Sequence, residues 1–180
     1  LITDWVHSGM PQGDPTLEPP LPEFPEGSQL GIPDLVLTMS ETYEIEGNNE
    51  DDYRVFVFDT GLTEDKEIAA IEVRPGNTQA VHHALIAYET QGAARAKDAE
   101  SPDVYGYEAF GDFGVQTQGS FVGYTPGIQA VLFPEGIGTT LPAGADLLLQ
   151  IHYAPLSTDQ TDQSTLNVFF FGVFEKCLRV

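Results

Sequence analysis

The chain has 180 residues, of which 41% are hydrophobic and 19% are charged, a balance typical of a globular protein rather than a disordered one. The length predicts one domain with an additional tail. The 28 acidic residues against 7 basic ones give a formal net charge of -21, and a surface this negative disfavours nucleic acid and anionic membranes as partners. No apolar stretch approaches the roughly 18–20 residues that span a bilayer, so no membrane span is expected.

Residues 1–33 differ in composition from the rest of the chain. Residues 1–6 predict the end of a helix, and the proline-rich stretch that follows predicts an extended linker. His7 lies here and is interpreted as an ordinary surface histidine. Because the chain starts at Leu1 without a methionine or a signal peptide, we expect a piece of a longer protein, in which residues 1–33 are a linker or the end of a preceding domain.

From residue 34 onward, short apolar runs alternate with turn residues, and helical periodicity is scarce. We predict strands over residues 35–39, 53–58, 67–73, 80–88, 128–133, 147–153 and 166–174. Residues 74–77 predict a turn, residues 93–99 a surface excursion, and the glycine-rich residues 105–127 a long irregular loop. This spacing favours an all-β fold, an antiparallel β-sandwich that spans residues 34–180.

Three of the four histidines lie in two of these predicted strands. His82 and His83 are adjacent in an apolar run that continues to Tyr88, and His152 lies in a second run that begins at Leu147. An imidazole that is buried without a partner costs free energy, and a metal ion shared by the three rings would remove that cost. Three neutral imidazoles suit copper or zinc.

The adjacency of His82 and His83 raises a geometrical difficulty. Neighbouring residues of a regular strand point to opposite faces, so the two rings share an ion only if the strand twists, bulges or lies at a sheet edge there. The alternative is that one imidazole packs in the core while the other faces solvent. The spacing by itself leaves both alternatives open.

Several segments, in their order along the chain, are similar to one protein family. They are Asp52–Phe56, Val73–Asn77, Val81–Leu85, Gly123–Gly127, Leu132–Gly138 and Leu149–Tyr153. The His-His pair, the Pro-Glu-Gly-x-Gly element and the Gln-x-His-Tyr strand form a fairly specific combination. Roughly residues 34–174 thereby resemble the first domain of the copper type II, ascorbate-dependent monooxygenases, which include peptidylglycine α-hydroxylating monooxygenase and dopamine β-monooxygenase.

The resemblance implies a jelly-roll-like sandwich in which His82, His83 and His152 hold one copper ion. In the family this copper stores and relays an electron, for which ascorbate is the source, and hydroxylation occurs at a second copper in a following domain. The resemblance also implies a place for Gln150 near the ligands. Tyr153 is a candidate for packing against an imidazole, with plain core packing as its alternative. No catalytic residue is expected in this chain, which by itself is not expected to be catalytically competent.

The sequence also departs from the family pattern. It has no His-x-His pair, and its two methionines, Met10 and Met39, do not match the ligand of the second copper site. We therefore expect a following copper domain as a partner. The disulfides of the animal enzymes are absent, which is typical of a bacterial relative, and residues 2–14 resemble the end of a c-type haem domain that would precede this one. The resemblance further implies a periplasmic or extracellular location.

Other parts of the sequence have functional interpretations of their own. Cys177 is interpreted as a packed thiol, although a cysteine also binds metals. The acidic clusters at residues 46–52 and 158–162 are candidates for calcium binding or for ordinary solvated loops. A three-histidine zinc hydrolase would need a general base, and Glu89 has no predicted place at the metal. The second functional hypothesis is a non-catalytic copper-binding or assembly module at a bacterial cell surface.

Overall fold

The computed structural model describes residues 1–20, 27–100, 104–128, 130–134 and 137–172, and these residues are mainly in β-strands. Within them lie the short helices α1 (Ile2–His7) and α2 (Ala93–Asp98) and a 3₁₀ turn at Pro15–Leu17. The strands are β1 (Leu35–Thr38), β2 (Tyr43–Ile45), β3 (Asp52–Asp59), β4 (Lys66–Arg74), β5 (Val81–Glu89), β6 (Tyr107–Glu108), β7 (Gly119–Tyr124), β8 (Val131–Leu132), β9 (Thr139–Leu141), β10 (Asp146–Tyr153), β11 (Gln160–Asp162) and β12 (Thr165–Phe170).

Two antiparallel sheets pack face to face. The first has the order β1-β12-β4-β8, with β9 also paired to β4, and the second has the order β6-β3-β10-β5-β7. Strands β2 and β11 form a separate two-stranded ribbon. The apolar core contains Ile68 and Leu166 from the first sheet and Phe56, Ile86 and Leu149 from the second. This architecture confirms the predicted all-β antiparallel sandwich.

Strand β10 lies at the centre of the second sheet and is buried along its whole length. On one face, Leu149 belongs to the core between the sheets. On the other face, Leu148 belongs to a smaller apolar cluster with Tyr107 and Phe113 of the segment around β6 and with Ala94 of α2. A strand that is covered on both faces has a continuous apolar sequence, which explains why β10 shows so little alternation.

The predicted loop at residues 105–127 contains strands β6 and β7, so that prediction is wrong in part. Glycines hid β7 from the sequence analysis because they interrupt its alternation. A side chain at Gly119 would lie 2.5 Å from the ring of Tyr88, and one at Gly123 would lie 2.2 Å from the carbonyl oxygen of Ala84. Strand β7 therefore pairs closely with β5 only because these two positions have no side chain.

Most of the other strand predictions correspond to observed strands. The matches are residues 35–39 with β1, 53–58 with β3, 67–73 with β4, 80–88 with β5 and 147–153 with β10. The strand predicted at residues 128–133 is shortened to β8, and the end of the one predicted at residues 166–174 lies outside the described residues. The excursion predicted at residues 93–99 contains α2, and the short strands β2, β9 and β11 were not predicted.

The segment before the first strand has two structural parts. Residues 1–20, which include His7, have exposed side chains throughout. Farther along, Gln29 contacts the first sheet, where its backbone N–H donates to Glu72 (2.7 Å) and its side-chain oxygen accepts a hydrogen bond from the backbone of Ala130 (3.1 Å). Part of the predicted linker thus packs on the sandwich.

Candidate metal centre

A β-bulge brings the two adjacent histidines to one side of the sheet. In the pairing of β10 with β5, His152 lies opposite His83, whereas Tyr153 lies opposite Val81, so His82 is an extra residue with no partner in the ladder. A bulge of this kind bends the strand and re-aims the side chain at the extra position. It removes the geometrical difficulty that a regular strand would have posed.

The three imidazoles converge through the same ring atom. Nδ1 of His82 lies 3.2 Å from Nδ1 of His83 and 3.1 Å from Nδ1 of His152, and the third side of this triangle is 3.3 Å. Ligand nitrogens with bonds of 2.0–2.1 Å to a tetrahedral ion lie about 3.3 Å from each other. The donor set therefore fits a single first-row metal ion that is bound through three Nδ1 atoms.

The three ligand candidates differ in their exposure to solvent. His152, on the central strand, is 8% exposed, His83 is partly buried, and His82, on the bulge, is exposed. The site thus has a closed side formed by the sheet and an open side at His82. An ion held there would be within reach of water or an external molecule.

Burial and neighbouring imidazoles favour the neutral form of His83. Its partial burial lowers its pKa below the ordinary histidine value, and the nearby rings of His152 and His82 lower it further. A neutral imidazole has a free lone pair, so this environment keeps His83 in the form that binds metals.

Two residues that the sequence did not indicate as part of the site hold His152, and a third supports one of them. The ring of Tyr53, which lies directly opposite on β3, stacks on His152 with centroids 4.3 Å apart and planes 7° apart. Phe110 packs edge-on against Tyr53, with centroids 4.8 Å apart. On the far side of the imidazole, Nε2 lies 2.6 Å from Oδ1 of Asp51. The sequence places Asp51 only in an acidic cluster, and Tyr53 only in a predicted strand and in a segment that resembles the family.

Gln150 lies on the same face of β10 as His152 but binds the neighbouring loop. Its amide nitrogen donates to the carbonyl oxygen of Ala109 (2.9 Å) and also to that of Asp112. These bonds hold the segment that carries Phe110, which in turn contacts Tyr53. Gln150 therefore reaches the histidine cluster through this loop and the aromatic pair.

Tyr153 belongs to the core between the sheets. It is fully buried on the opposite face of β10 from His152, stacks with Tyr43 at a centroid distance of 5.4 Å, and donates a hydrogen bond to Asp162 (2.9 Å). Burial, together with the nearby carboxylate, raises the pKa of its hydroxyl. Tyr153 therefore packs in the core, as the second of its two predicted roles had it, and does not pack against an imidazole of the cluster.

The remaining candidates lie elsewhere or form no comparable cluster. Glu89 is buried at the other end of β5, where it accepts hydrogen bonds from the backbone N–H groups of Gln91 and Ala94. The two acidic loops lie close together, since Asp159 accepts a bond from Gly47 (2.9 Å). Within the described residues, the three histidines are the one group of potential metal ligands that converges. Cys177 lies outside those residues.

Comparison with known proteins adds no assignment to this geometry. No protein-family model matches the sequence, and no curated protein matches it significantly. In the part of the chain that the structure describes, no helix is both long and apolar enough to cross a membrane.

Proposed function

We propose that residues 34–180 form the first, electron-transfer copper-binding domain of a copper-dependent monooxygenase-like protein. The observation that carries the proposal is the convergence of three Nδ1 atoms from His82, His83 and His152 within 3.3 Å of one another. These residues are the ones that the resemblance to the copper type II monooxygenases implies as ligands. Copper, when bound, would store and relay single electrons, with ascorbate as the donor that the family implies.

The fold supports a relay role because two of the three ligands lie on paired inner strands. His83 and His152 are paired across β5 and the central strand β10 of a sheet that packs on both faces. Strands hold side chains more precisely than loops do. A geometry that changes little between two charge states would favour electron transfer. The exposed His82 would provide the side from which an electron enters or leaves.

The surroundings favour copper relay over zinc hydrolysis. A hydrolase would need a carboxylate aimed at a metal-bound water. Glu89 is committed to the backbone at the start of α2, and Asp51 contacts His152 at Nε2, on the opposite side of the ring from the converging atoms. Neither carboxylate is placed as a base within the described part of the chain.

The proposal includes partners and a location. The substrate would be hydroxylated at a second copper in a following domain of the same protein, and a haem domain would precede this one. A periplasmic or extracellular location is part of the same proposal. This chain alone would bind copper and pass electrons without hydroxylating anything.

Metal analysis with copper titration tests the proposal. We expect one Cu²⁺ per chain in the wild type, a paramagnetic signal of nitrogen-ligated Cu²⁺ that disappears on addition of ascorbate, and loss of both in His152→Ala. His7→Ala is the matched control, since that histidine is exposed on α1, and it should behave as the wild type. Unchanged stoichiometry and affinity in His152→Ala would refute the three-histidine site.

A non-catalytic copper-binding or assembly module at a bacterial cell surface is the competing function. It shares the metal site, so copper binding does not separate the two. The full gene separates the two functions, because the relay function requires a downstream segment with a His-x-His pair and a methionine ligand. Copper that is bound but not reduced by ascorbate, in a gene without that segment, would favour the binding module.

A further inference from the structure

The three imidazoles differ at the ring nitrogen that points away from the cluster. Nε2 of His152 lies 2.6 Å from Oδ1 of Asp51, whereas neither His82 nor His83 has a hydrogen bond at Nε2 among the described residues. Asp51 lies just before β3, the strand that pairs with β10, and its side chain is 50% exposed. One of the three ligands is thus held at both nitrogens before any metal arrives.

Tyr53 and Asp51 impose different restraints on that ring. Stacking on Tyr53 fixes the plane of His152, but a 180° flip of the imidazole leaves the stack unchanged. The flip would move Nδ1 away from the other two histidines and would replace Nε2 by a carbon atom at Asp51. The contact with Asp51 therefore selects between two orientations that the stack alone permits.

The same contact determines where the proton lies on neutral His152. An ionised carboxylate only accepts hydrogen bonds, so Nε2 must carry the hydrogen and Nδ1 must present its lone pair. That lone pair faces Nδ1 of His82 at 3.1 Å and Nδ1 of His83 at 3.3 Å. Without a metal, two facing lone pairs repel, so His82 or His83 must supply the Nδ1 hydrogen that bridges to His152.

We propose that Asp51 is a positioning residue which orients His152, fixes its hydrogen at Nε2 and thereby makes Nδ1 the metal-binding atom. Carboxylate partners of this kind orient metal-binding histidines and raise their basicity, and their loss typically weakens metal binding 10- to 100-fold. The consequence for affinity rests on the proposed metal site, whereas the consequence for the hydrogen on the ring concerns the metal-free protein alone.

Nitrogen-15 NMR of the metal-free protein at pH 8 tests the orientation directly. Long-range proton–nitrogen correlations, with His152 assigned through His152→Ala, should show a wild-type ring protonated only at Nε2. In Asp51→Ala, the form protonated at Nδ1 should become populated, because His152 can then donate to its neighbours. A wild-type ring protonated at Nδ1, or an identical ring state in Asp51→Ala, would overturn the proposal.

Titration with Cu²⁺ measures the effect on affinity. We expect Asp51→Ala to bind 10- to 100-fold more weakly than the wild type. Glu50→Ala is the matched control, because it removes a charge from the adjacent exposed position, and its affinity should be unchanged. Equal weakening in both variants would mean that only the local charge matters and would overturn the positioning role.

The two measurements separate this inference from the proposed function. If copper does not bind the wild type but the NMR result holds, the function fails while the role of Asp51 in orienting His152 stands. If copper binds but the NMR result fails, the role of Asp51 in orienting His152 fails while the proposed function stands. Because Asp51 is half-exposed, its truncation leaves no buried cavity, and urea unfolding of the metal-free variant verifies that it folds.

Discussion

The outer face of the second sheet carries two rows of polar side chains, each contributed by the adjacent strands β3, β10 and β5. The two rows are six residues apart on each strand, and because neighbouring strands are antiparallel their order along β10 is the reverse of that along β3 and β5. The acidic row consists of Asp59, Asp146 and Glu89, and the histidine row consists of Tyr53, His152 and His83. The same sheet geometry thus produces two polar clusters, which differ in the partners that the rest of the chain supplies.

The chain itself supplies partners for the acidic row. Arg95 donates to both carboxylate oxygens of Asp146 and lies 3.3 Å from Asp59. Glu89 accepts backbone hydrogen bonds from Gln91 (2.6 Å) and Ala94 (3.3 Å). Each of the three carboxylates has a partner from this chain, so the acidic row has a structural role in stabilising the fold.

The histidine row has no such complement. The Nδ1 atoms of His83 and His152 face each other and that of the neighbouring His82, and apart from Asp51 at the distal side of His152 the described residues place no charged group against these rings. In the metal-free protein a hydrogen on one Nδ1 can bridge to a neighbouring ring, whereas a metal ion would accept the lone pairs of all three Nδ1 atoms at once. Polar residues that meet across adjacent strands in this sheet are therefore structural where the chain supplies cationic or hydrogen-bonding partners, and are candidates for a binding site where it does not.

Removal of Arg95, the cation that pairs with the acidic row, should give the largest effect on stability. In Arg95→Met, the buried Asp146 carboxylate, whose side chain is 5% exposed, loses its partner, and the free energy of unfolding should fall by about 2–3 kcal/mol. Urea denaturation measures this loss. Lys66→Met, which breaks an ion pair with the exposed Glu64, should cost less than about 1 kcal/mol, and equal losses would contradict the structural role of the acidic row.

Addition of Cu²⁺ should stabilise the folded protein through the histidine row. At a free concentration a hundredfold above Kd, Cu²⁺ should raise the free energy of unfolding by about 2.7 kcal/mol, because it binds the folded state. Thermal unfolding should shift upward by several degrees in the wild type. His152→Ala should show no shift, and a shift of the wild-type size in that variant would place the metal elsewhere.

Truncation of the exposed ligand should separate binding from folding. In His82→Ala, the metal-free protein should unfold within about 0.5 kcal/mol of the wild type, because an exposed side chain contributes little to packing. Copper affinity, measured by competition titration, should nevertheless fall at least about tenfold, since one of three ligands is lost. Unchanged affinity would mean that His83 and His152 suffice and that the bulge has no role in binding.

The smallest expected effect is a pH dependence that differs between the rows. The lowered pKa of His83 means that the unfolded chain takes up its proton more readily, so this group destabilises the metal-free fold as pH falls below about 6.5. Asp59 behaves differently, because the Gly61 backbone N–H and Arg95 lower its pKa and its contribution is lost only as pH falls to about 4 or below. Urea unfolding between pH 8 and pH 5 should show a smaller decline in His83→Gln than in the wild type, and identical declines would contradict this assignment.

The sequence predicted the parts of the fold that have a strong period or composition. The apolar runs around His82 and His152 and the strand that begins with Asp52 were identified because buried central strands have long β-rich sequences. Strand β7 was missed because Gly119 and Gly123, which its close approach to β5 requires, are also typical of loops. Short strands such as β2 and β9 depend on their partners and carry little local signal.

The metal-ligand candidates of the site were predictable from the sequence, but the residues that hold them in place were not. The three histidines were identified because imidazoles are unusual in apolar strands. Asp51 and Tyr53 were not, since an acidic residue in an acidic loop and a tyrosine in a strand have ordinary local explanations. Only the pairing of β3 with β10 shows that both contact the same imidazole.

By itself, the sequence determined that this protein is an antiparallel β-sandwich and that His82, His83 and His152 are candidates for one metal site, because strand patterns and residue chemistry are local properties. The tertiary structure decided that the site is geometrically available. The register of β5 on β10 makes His82 the extra residue of a bulge and sets His83 opposite His152. Register depends on contacts between residues far apart in the chain, so no local pattern could have revealed that three nitrogens lie within 3.3 Å of one another.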